Sequence, residues 1–458
     1  MSGRTNSGNF SKASQMKLSR DSIKRPLLAL IVSMTAVALG QNVAPDAATD
    51  AAYVSAVSTA DATGTPATDV ATQPVKSETK LGPALPEEIR LVGSAIPSNS
   101  LTEWGAAHRL RFFGWANGGY TWSSSGTGQL RVEPRMNRFG DAWLLNQSAF
   151  ILERTLAEDG WSWGFRGEFY MGADAALLHS PNGFGPSPTA NPRFSTDFRQ
   201  AYFSFHAPIL TKQGIDFKLG RQYTPIGYET AMAPYRPMYS FAYAWQYSQN
   251  GATTGATATI HVSPKLDVLG GVTFGANSMY NLEGRAPNYI ARGLYWLGSS
   301  KRTKLVGTFY TGPKPIGSAK GRQGKWQSIV EAQLIHNVNR RLTLVSETNL
   351  GWDTRDPGHQ FRTSQWYGTY GMGIVHVNPY LDINGRAEWF KDADGSRIGT
   401  RGNYGEIAVG PNIMPKHMLN FRPEVRWDRA SDRVFGSVDS SSLKDHQWTF
   451  AIEALVKF

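Results

Sequence analysis

Residues 446–458 read His-Gln-Trp-Thr-Phe-Ala-Ile-Glu-Ala-Leu-Val-Lys-Phe. In an extended chain Trp448, Phe450, Ile452, Ala454, Val456 and Phe458 share one face, and Gln447, Thr449, Ala451, Glu453, Leu455 and Lys457 share the other. Aromatic rings at both ends of an apolar face, opposite a face that bears charge, describe a strand with lipid on one side and a lumen on the other. The same alternation runs through Leu419/Phe421/Pro423/Val425/Trp427 against Asn420/Arg422/Glu424/Arg426/Asp428. It recurs in Leu381/Ile383/Gly385/Ala387/Trp389 against Asp382/Asn384/Arg386/Glu388, and in Trp161/Trp163/Phe165/Gly167/Phe169 against Ser162/Gly164/Arg166/Glu168.

Extending this reading predicts strands near 109–122, 146–156, 161–173, 198–205, 215–222, 252–262, 265–276, 292–299, 303–312, 326–336, 341–351, 366–377, 380–390, 403–410, 418–428 and 446–458. Sixteen is an even number, as a single-chain up-and-down barrel requires. Even-numbered strands end in short turns: 157–160, 207–214, 263–264, 300–302, 337–340, 378–379 and 411–417. Odd-numbered ones end in longer loops at 123–145, 174–197, 223–251, 277–291, 313–325, 352–365, 391–402 and 429–445. That asymmetry is the one expected of an all-β, transmembrane antiparallel barrel with both ends in the periplasm. A secreted sandwich would also alternate, but its inner faces would not carry Arg and Glu repeatedly.

Composition agrees. The chain of 458 residues has 47 Gly, 12% aromatic and only 18% charged residues, so it is rich in strand-packing and interfacial types while its mean hydropathy is negative. With no Cys, disulfide frameworks, thiolate metal sites and thiol nucleophiles are excluded.

The first 40 residues carry six Lys or Arg and one Asp, then an apolar stretch from Leu27 to Leu39 that ends Ala38-Leu39-Gly40. A basic n-region, a short h-region and small residues before Gln41 predict a secretory signal peptide, with Met16 an alternative start. Residues 41–104, rich in Ala, Thr, Asp and Pro, are read as a disordered periplasmic tether, leaving 105–458 for the barrel. Signal and tether charges cancel, so the net +11 of the chain belongs entirely to residues 104–458.

Inward positions of the predicted strands place Arg111, Arg166, Glu168, Arg199, Lys218, Glu331, Glu347, Arg386, Glu388, Arg422, Glu424, Arg426 and Lys457 in the lumen. Such charges pair across strands or line water. Structural pairing, for example of Arg386 with Glu388 or Arg422 with Glu424, is the expectation for most of them. A net anion preference is the expectation for their sum. Lys314, Lys320, Arg322 and Lys325 are candidates for lipopolysaccharide phosphates. The longest loop, 223–251, holds Tyr223, Pro225, Tyr228, Tyr235, Tyr239, Phe241, Tyr243, Trp245 and Tyr247, a density of aromatics that argues for order. His206, His261, His336, His376 and His417 fall near the predicted short turns and need no role beyond a polar rim. His446 beside Ser440-Ser441-Ser442 and Asp445 is the one candidate for hydrolase chemistry, and Asp392-Ala393-Asp394-Gly395 lacks the other ligands of a calcium loop. No enzyme, metal, cofactor or nucleic-acid partner is expected.

Several segments resemble the putative β-barrel porin 2 family. They are Phe113-Gly114-Trp115 through Gly119-Tyr120-Thr121, Gly220-Arg221-Gln222-Tyr223-Thr224-Pro225-Ile226-Gly227-Tyr228-Glu229 leading to Tyr239-Ser240, Arg386-Ala387-Glu388-Trp389-Phe390-Lys391-Asp392, and Leu419 through Asp428. They span the barrel and exclude the tether. One departure is Thr253-Thr254-Gly255, where the resemblance would put His-Thr-Gly. Loop 223–251 is also similar in position to the third loop of sixteen-stranded general porins, which folds inward. That resemblance implies a constriction with Glu229 and Arg236 as its charges. The terminal Phe458 resembles the signature read by the outer-membrane assembly machinery. The expected function is an outer-membrane porin passing small hydrophilic solutes or ions by passive diffusion, with a homotrimer as a porin-like expectation. The alternative is a surface adhesin or structural barrel whose pore is closed.

Overall fold

The computed structural model describes residues 100–157, 159–180, 183–186, 191–275, 286–314, 325–416 and 418–458. The predicted signal peptide, nearly all of the tether, Lys320, Arg322 and His417 lie outside these residues. A short helix, α1 (Ser100–Ala107), precedes sixteen barrel strands. These are β1 (Leu110–Ser123), β2 (Ala142–Arg154), β3 (Ser162–Gly172), β4 (Ser195–Ala207), β5 (Ile215–Tyr223), β6 (Ala252–Ser263), β7 (Leu266–Thr273) and β8 (Asn288–Leu297). The second half comprises β9 (Thr303–Lys314), β10 (Lys325–Asn339), β11 (Leu342–Asp356), β12 (Arg362–Asn378), β13 (Leu381–Asp392), β14 (Gly402–Lys416), β15 (Leu419–Ala430) and β16 (His446–Lys457).

Each strand pairs antiparallel with its sequence neighbours, and β1 pairs with β16, so the sheet closes on itself and has no free edge. The seam is sealed at its end by reciprocal backbone bonds: Gly114 N–H to Phe458 O at 2.8 Å and Phe458 N–H to Gly114 O at 2.9 Å. A Cβ on Gly114 would stand 2.2 Å from the Ala149 carbonyl oxygen and 2.7 Å from the Phe458 ring, so this seam requires glycine.

Alternation along β16 is complete: Trp448, Phe450, Ile452 and Val456 are exposed on the outer face, while Gln447, Thr449, Glu453, Leu455 and Lys457 are buried. The outward rings of neighbouring strands meet at the long-loop end, with Trp427 and Trp448 at 6.3 Å and Trp122 and Phe450 at 5.3 Å. Ile452 sits midway along the lipid face. Ile452→Lys is therefore expected to destabilise the inserted barrel by about 2–4 kcal/mol, read from denaturant unfolding out of lipid vesicles. The same change at His446, beyond the girdle, should cost about 1 kcal/mol or less.

All sixteen predicted strands are present, with two corrections of extent. The sixth long connection shrinks to residues 357–361 because β11 and β12 continue upward. It turns through Asp356, whose carboxylate accepts the Gly358 N–H at 3.1 Å. Strand β14 runs on to Lys416, through the Pro411 that suggested a turn. Pro411 pairs normally with Ile383 on β13. On its other side the ladder with β15 passes from Val409↔Val425 to Ile413↔Phe421, and this register sets Pro411 opposite Pro423, neither of which has an N–H to give.

Two further short helices belong to loops: α2 (Ala173–Leu177) after β3 and α3 (Tyr243–Ser248) within the long loop between β5 and β6. Both pack inside the barrel, α2 against β2, β3 and β4, and α3 against β11, β12 and β13. The interior is thus filled from the side by loop segments. On β7 to β11 the inward residues Leu269, Ile290, Val306, Ile329 and Val345 are apolar and join one cluster with Ile226, Phe241 and Trp245 of the loop. These apolar residues share their inner faces with the buried polar Asp267, Arg292, Thr308, Glu331 and Glu347.

Candidate functional site

Loop 224–251 is short of ordinary secondary structure, so most of its backbone N–H and C=O groups need partners from elsewhere. The barrel wall supplies them. Glu424 on β15 accepts the Tyr239 and Ser240 N–H groups at 2.9 and 3.1 Å. Glu388 on β13 accepts those of Tyr243 and, at 2.5 Å, Ala244. Glu347 on β11 takes Tyr228 N–H at 2.6 Å and the Gln249 amide at 2.7 Å, and Glu331 on β10 takes Gly227 N–H at 2.7 Å. Arginines do the converse for carbonyls. Arg422 donates to Arg236 O and, at 2.8 Å, to Ala233 O, and Arg426 to Phe241 O at 2.6 Å. Four strands thus present carboxylates to loop donors, and β15 adds guanidinium groups for loop acceptors.

Side chains of the loop complete the network. Glu229 pairs with Arg386 at 2.5 Å, and Arg386 pairs on its other side with Glu406 at 2.5 Å while donating to the Ser240 carbonyl and hydroxyl. Burial pushes the Glu229 carboxyl above its ordinary range, against the pull of Arg386 and the Ala242 N–H. Arg236 pairs with Glu453 at 2.6 Å and lies 3.9 Å from Asp174 of α2. Asn146 and Gln147 hold Asp174 at 2.8 and 2.7 Å, and Tyr239 OH donates to Asn146 at 2.7 Å. Tyr243 OH donates to Asp428 at 2.6 Å. The loop aromatics are stacked rather than free: Phe241 on Trp245 at 4.0 Å, Tyr243 on Tyr247 at 5.9 Å.

Of the residues singled out from the sequence, Glu229, Arg236, Arg386, Glu388, Arg422, Glu424 and Arg426 come together in this one network. Its pairings differ from the expected ones. Arg386 takes Glu406 and Glu229 rather than Glu388, and Arg422 takes Glu453 at 2.8 Å rather than Glu424, because Glu388 and Glu424 are engaged by loop N–H groups. A second cluster joins Arg111, Glu153, Arg166 and Glu168 in successive 2.6 Å contacts, with Tyr223 OH on Glu168 at 2.7 Å. Arg199 pairs with Asp197 at 2.8 Å, Lys218 lies over the Tyr202 ring at 4.9 Å, and the Pro225 carbonyl accepts from Thr308 at 3.4 Å. A cavity of about 40 Å³ lies between Arg199, Tyr223, Glu229 and Trp245.

Asp174 and Glu406 had no place in the sequence reading, and Glu453 and Asp428 stand on the lumen faces read from the alternation without being named as candidates; all four are buried. Lys325 turns inward to Asp353 at 2.7 Å and Asp356 at 3.6 Å, away from the outer surface where a lipopolysaccharide phosphate would lie. The histidines near the short turns do find partners: His206–Asp216 at 2.6 Å, His261–Asp267 at 2.7 Å and His376–Asp382 at 2.8 Å. His446 bonds Asp445 at 2.8 Å, and the Ser440 hydroxyl is engaged with the Ser442 carbonyl.

A family model described as putative beta-barrel porin-2, OmpL-like, matches residues 109–458. No curated protein sequence matches the chain significantly. Among solved structures, an anion-selective porin from Comamonas acidovorans is similar with a TM-score of 0.54 at 9% identity, covering 76% of this chain and 99% of that one. The outer membrane channel DcaP of Acinetobacter baumannii aligns at a TM-score of 0.50 and 11% identity over 76% of this chain and 97% of its own. OprB of Pseudomonas putida aligns at 0.50 and 10% identity over 78% and 96%. At these identities the likeness is one of fold.

Proposed function

The chain belongs to the putative beta-barrel porin-2, OmpL-like family, and from that premise we propose that this outer-membrane barrel is a porin for small hydrophilic solutes whose loop 223–251 is the constriction. The observation that carries the proposal is the seating of that loop across the interior on Glu331, Glu347, Glu388 and Glu424. A loop anchored to four wall strands narrows the lumen in a fixed way, as a size filter must. The short turns then face the periplasm and the long loops the exterior.

An anion bias is part of the same reading. Most carboxylates of the interior are occupied by Arg or by loop N–H groups. Lys218 on β5 is a half-buried cation of the inner wall, over the Tyr202 ring, whereas Arg111 on β1 is balanced by Glu153. The bias is carried by such cations and by the net +11 of residues 104–458.

Purified protein in planar bilayers tests both points. Stepwise conductance is expected, with a reversal potential in a salt gradient that indicates anion preference. Replacing Glu229 and Arg236 together by Ala should raise single-channel conductance and change selectivity. An unchanged channel would remove the loop from the filter, and a cation-selective one would refute the bias. The near-complete burial of Tyr239, Phe241, Ala242 and Tyr243 favours one alternative, a closed barrel that acts through its loops as an adhesin or structural element. Absence of any conductance would establish that alternative over the porin.

A further inference from the structure

The short turns carry charge of one sign along one side of the barrel. Residues 208–214, 264–265, 298–302 and 340–341 include Lys212, Lys265, Lys301, Arg302, Arg340 and Arg341, and none of these four turns contains Asp or Glu. Backbone bonds place the turns side by side. His261 N–H donates to Gly214 O at 3.1 Å, Trp296 to Lys265 at 2.8 Å, Asn337 to Arg302 at 2.9 Å and His376 to Arg341 at 2.8 Å. Neighbouring turns are two strands apart, about 10 Å, so the cations form an arc of roughly 30 Å. The opposite end of the barrel shows no such segregation: Arg401, Arg429 and Arg433 are interspersed with Asp394, Asp432 and Asp445.

The arc stands just past the apolar outer face. Val262 on β6, Leu297 on β8 and Leu344 on β11 are exposed on the strands that run into or out of these turns. Lys212, Arg302, Arg340 and Arg341 are themselves exposed. Cations at the level where hydrocarbon ends meet the phosphodiesters of the adjoining leaflet, and each adds to the attraction of an anionic lipid. We propose that the arc formed by the β4–β5, β6–β7, β8–β9 and β10–β11 turns is a binding site for anionic phospholipid, with headgroup phosphates on Lys301, Arg302, Arg340 and Arg341 and acyl chains against Leu297 and Leu344. The proposal rests on the barrel standing in a membrane with this rim at one interface, and is independent of whether the pore is open.

One competitor is intrinsic to the chain: residues 41–75 contain four Asp and no Lys or Arg. Lipid is the better fit because the cations are spread along the membrane boundary at headgroup-like spacing, with apolar surface directly beneath them.

The test uses full-length protein in neutral detergent, titrated with phosphatidylglycerol or phosphatidylcholine, with bound lipid read by native mass spectrometry and the unfolding temperature by heating. Phosphatidylglycerol should stay bound and raise the unfolding temperature, and phosphatidylcholine should do neither. The variant Lys301→Gln/Arg302→Gln/Arg340→Gln/Arg341→Gln should need at least about tenfold more phosphatidylglycerol for the same occupancy, while Arg401→Gln/Arg433→Gln at the other end keeps the parent response. Equal binding of the two lipids, or a quadruple variant that binds like the parent, would overturn the proposal. So would phosphatidylglycerol binding that appears only after Asp46→Asn/Asp50→Asn/Asp61→Asn/Asp69→Asn, which would assign the arc to the chain's own acidic segment. Conductance of the quadruple variant should equal that of the parent, so failure here is distinct from failure of the porin reading.

Discussion

Arg386→Ala is expected to destabilise the folded barrel by about 3–5 kcal/mol, the usual cost of removing one partner from a buried ion pair. Arg386 is buried between Glu229 of the loop and Glu406 of β14, at 2.5 Å from each, and also holds the Ser240 carbonyl at 3.1 Å. Without it Glu229 loses its ion-pair partner, Glu406 keeps only Arg426 at 3.1 Å, and a loop carbonyl loses its donor. The loss should appear as a lower denaturant midpoint and, in bilayers, as larger and noisier current steps. Adding Glu229→Ala should cost less than the sum of the two single changes, because both act on one network. A loss below about 1 kcal/mol, the range of exposed pairs, would mean that the pair is solvated and the loop is held elsewhere.

The second large effect concerns the backbone of the loop. In Glu388→Leu/Glu424→Leu, the N–H groups of Tyr239, Ser240, Tyr243 and Ala244 lose their acceptors at once. Hydrogen bonds to a charged group contribute about 1.5–3 kcal/mol each, so the middle of the loop should leave the wall. Chymotrypsin reads this directly. Tyr239 and Phe241, now buried and followed by Ser240 and Ala242, should become cleavage sites in the double variant and stay intact in the parent. Resistance of the variant to cleavage, with parental conductance, would show that apolar packing of Phe241 and Trp245 holds the loop by itself.

The strands were legible because a transmembrane barrel enforces a two-residue period on each of them, and β15 displays it most clearly, with Asn420, Arg422, Glu424, Arg426 and Asp428 on its inner face. The importance of loop 223–251 was legible from its aromatics. Its partners were not, since pairing depends on the stagger between strands. Arg386 lies opposite Ala408, and the diagonal neighbour Glu406 is the carboxylate it reaches. Nothing in the run Arg386-Ala387-Glu388 encodes that stagger. Helix α2, which brings Asp174 to Arg236, has five residues, too few for a helical period to show. On β7 to β9 the inward faces mix Leu269, Ile290 and Val306 with Asp267, Arg292 and Thr308, so alternation marks the lumen side but gives no sign that a loop packs against its apolar positions. At β14 the reading stopped at Pro411 because proline ordinarily ends a ladder. Here it interrupts only one of two, and that one resumes at Ile413.

That half-broken ladder has a mechanical meaning. Around most of the circumference, sliding of one strand past the next is resisted by hydrogen bonds at every second residue. Between β14 and β15, from Val409 to Ile413, Pro411 faces Pro423 and side-chain contact alone opposes the slide. Glu424 and Arg426 on β15, which grip the loop, and Glu406 on β14, which pairs with Arg386 and Arg426, sit close to this stretch. A closed cylinder is stiff in proportion to its bonds. Two prolines thus concentrate the elastic give of the wall beside the groups that hold the loop in place.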